Sequence, residues 1–130
     1  MVPGKLTLAA LGLALVFGPP PAVAAEALII VQRSPLAGLR HYEARAVWRD
    51  MGAGDRLELV REPDNPYDAN AVRVEWHGRK LGYLPQRDNT AVARQLDRGT
   101  PLQARVTLLR ENRNRSVRLE FEVVAPLANP

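Results

Sequence analysis

The strongest constraint on the fold is a pair of alternating segments near the C-terminus. Apolar and polar residues alternate through 101–110 and again through 115–124, and only the polar residues 111–114 separate them. A period of two places apolar side chains on one face of a strand, so the segments predict an antiparallel hairpin over a core. The expected inward residues are Leu102, Ala104, Val106 and Leu108 in the first strand, and Val117, Leu119, Phe121 and Val123 in the second.

Shorter segments before this hairpin also have the character of strands, because β-branched or alternating residues are bounded by turn-forming ones. Strands are expected at 27–32, 39–48, 56–61, 70–76 and 81–85, with a tight turn at 77–80. One helix is expected next, with Asp88, Asn89 or Thr90 as its cap, Val92 and Leu96 on one face, and Gly99 at its end. Short strands with one helix predict a mainly β fold, a small barrel or a sandwich.

The first 25 residues have the pattern of an export signal. Lys5 precedes the apolar run 6–18, and small residues then offer cleavage near Ala24 or Ala25. The run is short for a membrane span of about 30 Å, so a signal peptide is favoured over an anchor. The sequence therefore predicts a signal peptide over 1–25, one domain over 26–130, and a secreted or periplasmic protein without a membrane span after cleavage.

Composition argues against several chemistries. The chain has no cysteine and only His41 and His77 as histidines, so it offers no thiolate nucleophile and no dedicated metal site. No glycine-rich loop ends in Lys-Ser or Lys-Thr, so an ATPase or helicase site is not expected. The carboxylates of 61–74 do not have the spacing of a calcium loop. We expect no catalytic residue, metal or cofactor, and the formal charge of +4 permits an anionic partner without requiring one.

Residues 61–74, REPDNPYDANAVRV, predict a stiff connection between two strands. Pro63 and Pro66 fix their own φ angles, and Asn65 followed by Pro66 is a preferred start of a turn. Asp68 can accept a hydrogen bond from the backbone N–H near Asn70, which would close an Asx turn. The segment is therefore accounted for as a rigid turn.

That turn does not account for Tyr67 at its tip. The ring could face a partner, since a fixed turn presents it at a low cost in entropy. Alternatively, it could fold onto Trp76 or Tyr83 and help to close the end of a barrel. The residues by themselves leave both arrangements open.

Two longer stretches carry a family resemblance. LVREPDNPYDANAVRV (59–74) followed by GRKLGYLPQRDNTAVARQLDRG (78–99) resembles the HIRAN domain family, and the upstream GLRHYEARAV (38–47) also fits. The resemblance covers about residues 36–125. It implies an OB-like, modified six-stranded β-barrel that binds nucleic acid and holds the 3′ end of single-stranded DNA.

The resemblance also implies roles for particular residues. Tyr67 would stack on a terminal base and Asp68 would accept the 3′-hydroxyl, both supported by Pro63, Asn65, Pro66 and Asn70. Arg40 matches a phosphate-binding arginine, His41 stands at the position of a second stacking ring, and Arg87 falls near a basic position. Apart from the resemblance, the sequence offers candidates for a wider cationic face, which could equally be an ordinary solvated surface of the barrel: Arg40, Arg45, Arg73, Arg79, Lys80 and Arg87.

Three function classes remain open at this point. The first is a nucleic-acid-binding module outside the cytoplasm, and it requires Tyr67, His41, Arg40 and Arg87 to converge on one groove. The second is a protein-interaction module that has lost DNA-end binding and holds a peptide of an envelope protein, or an envelope polyanion, in the same groove. The third is a structural domain without a ligand.

Overall fold

The computed structural model describes residues 27–127, together with Gly4, Gly12, Leu15 and Gly18. The expected signal peptide and its cleavage site lie, apart from those four residues, outside the described part of the chain. The strands are β1 (Leu28–Pro35), β2 (Arg56–Arg61), β3 (Val72–Trp76), β4 (Arg79–Tyr83), β5 (Gln103–Glu111) and β6 (Val117–Pro126). The helices are α1 (Ala44–Val47) and α2 (Thr90–Asp97), with 3-10 turns at Trp48–Asp50 and Gln86–Asp88.

The six strands form one antiparallel sheet in the order β1-β6-β5-β2-β3-β4. Directly after β1, the backbone of Ala37 exchanges two hydrogen bonds of 2.9 Å with Tyr83 of β4. The sheet is therefore curled so far that the two outer strands of the order meet at one bridge. This confirms the predicted mainly β architecture with six strands.

The C-terminal hairpin forms as predicted, with one correction. Leu102, Ala104 and Val106 are buried in β5, and Leu119, Phe121 and Val123 are buried in β6. Leu108 does not join them, because the pairing with β6 shifts between Val106 and Leu108. This bulge inserts one residue and reverses the alternation, so Leu109 packs against the core instead.

The predicted strand at 39–48 is wrong. Residues 39–43 form a turn, and the chain then enters α1 and the 3-10 turn that follows it. Ala44 and Val47 are both buried in the core, and residues three apart share a face in a helix but not in a strand. The alternation of polar and apolar residues here is therefore a local coincidence that core packing overrides.

The predicted helix and turns occupy their expected places with small changes. Gly99 follows α2 with a φ of +83°, the left-handed conformation that ends helices. Asn89 precedes α2, but its side chain does not cap the helix. The turn between β3 and β4 is tighter than 77–80, since only His77 and Gly78 separate the paired residues, both with positive φ as a type I′ turn requires.

Gly82 makes the closing bridge possible, and its substitution tests this. A Cβ atom at Gly82 would lie 2.2 Å from the carbonyl oxygen of Ala37, which leaves no room for a side chain. We expect Gly82→Ala to lower the free energy of unfolding by about 1–3 kcal/mol in urea denaturation. Gly52→Ala is the matched control, because its Cβ would meet its nearest neighbour at 3.9 Å. Equal stability of the two variants would contradict this role.

Candidate nucleic-acid interface

The connection between β2 and β3 is a run of short turns closed by its own polar groups. The carbonyl of Glu62 accepts from the N–H of Asn65, and the side chain of Asn65 accepts from the N–H of Tyr67 at 2.9 Å. Asp68 accepts from the N–H of Asn70 at 2.9 Å through Oδ1, and its carbonyl accepts from Ala71. The Asx turn predicted at Asp68 is therefore present, and a second one lies at Asn65.

Two contacts fix this run of turns to the rest of the fold. The guanidinium of Arg61 donates to the carbonyl oxygens of Ala71 and Ala69 at 2.8 and 3.0 Å, and to the carboxylate of Asp97 on α2. The buried amide of Asn89 donates to Oδ2 of Asp68 at 2.7 Å. Asn89 thus positions Asp68 rather than capping α2.

Tyr67 extends from these turns into solvent. Its exposed fraction is 91%, the highest among the exposed large hydrophobic residues of the described chain. The alternative in which the ring folds onto Trp76 or Tyr83 is therefore wrong. The ring is free to contact a partner, while its backbone is held by hydrogen bonds on both sides.

Tyr67 stands at the rim of a groove of about 840 Å³. One wall is formed by residues 61–68, at the end of β2 and in the turns that follow it. The opposite wall comes from Ala37, Gly38 and Tyr42 after β1. Lys80 and Tyr83 of β4 lie between these walls. The bridge between Ala37 and Tyr83 brings the two walls together, so closure of the sheet forms the groove.

A polar network runs beneath the groove. The carboxylate of Glu62 accepts from Asn65 at 3.0 Å, from the hydroxyl of Tyr83 at 2.8 Å and from Arg73 at 2.6 Å. Lys80 donates to the same hydroxyl at 2.6 Å. Partial burial favours the protonated acid, but the hydrogen bonds from Asn65, Tyr83 and Arg73 outweigh it and lower the pKa of Glu62. Glu62 is thus a compensated anion in a fixed orientation.

Lys80 lies between two aromatic rings. Its ammonium is 4.0 Å from the ring centroid of Tyr42 and 4.5 Å from that of Tyr83, within the range of cation–π contacts. Partial burial favours the neutral amine, but the hydrogen bond with Tyr83 and the nearby negative charge outweigh it and raise the pKa of Lys80. The groove therefore contains a charged lysine in a fixed place.

The residues that the sequence proposed for the site do not all converge on this groove. Tyr67 and Asp68 line it together. Arg40 and His41 line an adjoining depression that shares Gly38 with the groove. Arg87 lines another one and pairs with Asp88 at 3.3 Å. The expectation that Tyr67, His41, Arg40 and Arg87 share one groove is therefore not met, because the turn at 39–43 and the 3-10 turn after β4 direct the last three elsewhere.

Sequence reasoning gave too little weight to Tyr42 and Lys80. The predicted strand at 39–48 would place Tyr42 on the face opposite His41, so the error in that strand concealed the position of Tyr42 in the groove. Lys80 was considered only as one cation of a wide surface. The feature of the sequence that could have identified Lys80 is its position three residues before Tyr83. The register shift between Val74 and Glu75 in the pairing of β3 with β4 brings the side chains of Lys80 and Tyr83 into contact.

The described residues contain no group of three histidine, aspartate or glutamate side chains that could hold a metal ion. Within the same part of the chain, no helix has the length and apolar character needed to cross a membrane.

The sequence profile of the HIRAN domain matches residues 29–127. This chain belongs to the HIRAN domain family. HIRAN domains are nucleic-acid-binding modules that are generally not catalytic by themselves, so the family gives the general kind of partner. A sequence comparison with curated proteins gives no match.

Two crystal structures share the fold of this HIRAN domain. One is a protein from Lactobacillus plantarum, with a TM-score of 0.64 and 26% identity over 77% of this chain and 98% of that chain. The other is the HIRAN domain of human HLTF, with a TM-score of 0.56 and 24% identity over 72% of this chain and 73% of that chain. The likeness to HLTF concerns the fold, and it confirms the OB-like HIRAN architecture.

The lowered pKa of Glu62 predicts a pH dependence of stability. A carboxylate whose pKa is lower in the folded state stabilises the fold above its unfolded pKa, near 4.5, and this contribution is lost as the pH falls through the folded pKa. We expect wild type to exceed Glu62→Gln in stability above pH 4.5, with the difference shrinking below it, in urea denaturation at several pH values. Asp64→Asn is the control, because Asp64 is exposed and makes no side-chain hydrogen bond among the described residues. A difference that does not change with pH would contradict the network.

Proposed function

We propose that this HIRAN domain is a non-catalytic module that binds the end of a single nucleic-acid strand in the groove beside the 61–71 turns. The observation that carries the proposal is the exposure of Tyr67 on a backbone that is already fixed. A ring so exposed contributes little to the core, and a fixed backbone lowers the entropic cost of binding. Nucleobases stack on such rings without regard to sequence.

Asp68 is suited to accept a hydroxyl group at the strand end. A carboxylate offers about four lone-pair positions, and Asp68 uses one on each oxygen, for Asn70 and for Asn89. These two donors hold the carboxylate at the groove and leave acceptor positions free. A terminal phosphate placed there would be repelled by the same charge, so this geometry favours a free hydroxyl, and the family resemblance implies that it is the 3′-hydroxyl.

Lys80 and Tyr42 are better placed than Arg87 and His41 for the phosphate and the second base. The ammonium of Lys80 has three donors and spends one on Tyr83, so two remain for phosphate oxygens. Tyr42 lines the groove and is 36% exposed. This proposal keeps the chemistry that the family resemblance implied. It assigns the second stacking ring to Tyr42 instead of His41, and the phosphate contact to Lys80 instead of Arg87.

The charge of the groove limits the affinity. Glu62, Asp64 and Asp68 line it beside the cations Lys80 and Arg61. Arg73 compensates Glu62, and Asp97 engages Arg61, so Lys80 faces the two remaining carboxylates. We therefore expect a micromolar affinity that decreases as the salt concentration rises. We also expect a strand end that carries a hydroxyl to bind more tightly than one that carries a phosphate.

The test is fluorescence anisotropy of residues 26–130 with short 5′-labelled single strands. We expect a strand with a 3′-hydroxyl to bind more tightly than the same strand with a 3′-phosphate. We expect Tyr67→Ala to weaken binding by about 1–3 kcal/mol, roughly 5- to 150-fold, because one stacked base is lost. Tyr67→Phe should bind as wild type does, since it keeps the ring.

The controls separate folding from binding. Because Tyr67 is exposed, Tyr67→Ala should unfold at the same urea concentration as wild type. Unchanged binding by Tyr67→Ala would reject the stacking role. Equal affinity for the two 3′ ends would reject capture of the hydroxyl by Asp68, and would leave a general single-strand binder.

A further inference from the structure

A row of three rings leads from the groove to the adjoining surface. The centroids of Tyr83 and Tyr42 are 5.7 Å apart, those of Tyr42 and His41 are 6.3 Å apart, and both pairs are edge to face. Tyr83 and Tyr42 line the groove, whereas His41 lines the adjoining depression of about 400 Å³. His41 and Tyr42 are exposed and Tyr83 is partly buried. Aromatic rings in succession are typical of surfaces on which single strands stack.

The surface beyond His41 is rich in arginine. Arg40 and Arg118 line the same depression as His41. A further depression, of about 340 Å³, shares Arg40 with it and is also lined by Arg45 and Arg115. Arg115 lies at the tip of the β5–β6 hairpin, and Nη2 of Arg45 is 3.5 Å from its carbonyl oxygen. The depressions thus form one continuous path from the groove to the hairpin tip.

Three of the arginine charges along this path have no carboxylate partner among the described residues, unlike Arg73, Arg79 and Arg87 of the wider cationic face. Arg40, Arg45 and Arg115 form no ion pair with any residue of 27–127, and we call these three the arginine track. By contrast, Arg79 pairs with Glu43 at 3.4 Å, and Arg73 and Arg87 also face carboxylates. Exposed and uncompensated guanidinium groups are available to bind phosphate.

We propose that a single strand whose end lies in the groove continues past His41 and along the arginine track to the tip of the β5–β6 hairpin. This inference rests on the proposed function and extends it from an end-binding site to a longer strand path. The groove would hold the terminal nucleotides. Arg40, Arg45 and Arg115 would hold the phosphates of the nucleotides that follow.

The experiment compares a strand of about three nucleotides with one of about twelve, within the site size of about 4–16 nucleotides known for OB folds. The track variant is Arg45→Ala with Arg115→Ala. The control is Arg94→Ala with Arg98→Ala, which removes the same charge from exposed arginines on and after α2 that line none of the described depressions. Anisotropy is measured at several salt concentrations.

We expect the track variant to bind the long strand at least roughly tenfold more weakly, because two hydrogen-bonded contacts between guanidinium and phosphate are lost. The slope of log affinity against log salt should become shallower by about 1.4, since each phosphate contact on a single strand contributes about 0.7. Binding of the short strand should not change. The control should bind both strands as wild type does.

Several outcomes would overturn the path. These are equal affinity of wild type for the two strands, equal loss in the control, or unchanged binding of the long strand by the track variant. Tyr67→Ala with the short strand keeps the two proposals distinguishable. If that variant binds normally while the track variant loses the long strand, the end site is rejected and the track is supported. If Tyr67→Ala weakens binding of the short strand while the track variant binds the long strand as wild type does, the end site is supported and the track is rejected.

Discussion

The site depends on one backbone contact, the pair of hydrogen bonds between Ala37 and Tyr83. This bridge joins the segment after β1 to β4, although four strands separate β1 from β4 in the order of the sheet. It places Tyr42 against Lys80 and Tyr83, which makes the second wall of the groove. The contact is possible because Gly82 has no side chain, so a glycine of the LGYLP sequence serves to admit another backbone.

The turns opposite are stiff because their polar residues bond to one another. Asparagine and aspartate side chains satisfy the N–H groups that a tight turn leaves unpaired, and the prolines have no N–H to satisfy. Arg61 then links the turns to Asp97 on α2. Asn89, the residue before α2, links them to the helix through its hydrogen bond to Asp68. A base stacked on Tyr67, as we propose, would therefore meet a surface that is ordered before binding, so little binding energy would be spent on ordering the protein.

The electrostatics of the groove are balanced. Carboxylates that would repel a nucleic acid are either paired, as Glu62 is with Arg73, or placed where a hydroxyl could use them, as Asp68 is. Three positive charges that are unpaired within residues 27–127 lie together on the arginine track beyond the groove. This division suits an end of low charge inside the groove and a chain of phosphates outside it, in a chain whose formal net charge is +4.

The sequence by itself determined the hairpin, the family and the rigid turn at Tyr67, because these follow from local alternation, a contiguous motif, proline and Asx chemistry. It also indicated the approximate places of the six strands, but local alternation predicted a seventh at 39–48 that does not form. It could not determine the second wall of the groove. Residues 39–48 alternate as a strand would, but burial of Ala44 and Val47 requires a helical turn, and that moves Tyr42 into the groove and His41 out of it. Which ring and which cation face the site was decided by closure of the sheet, a contact between segments more than 40 residues apart.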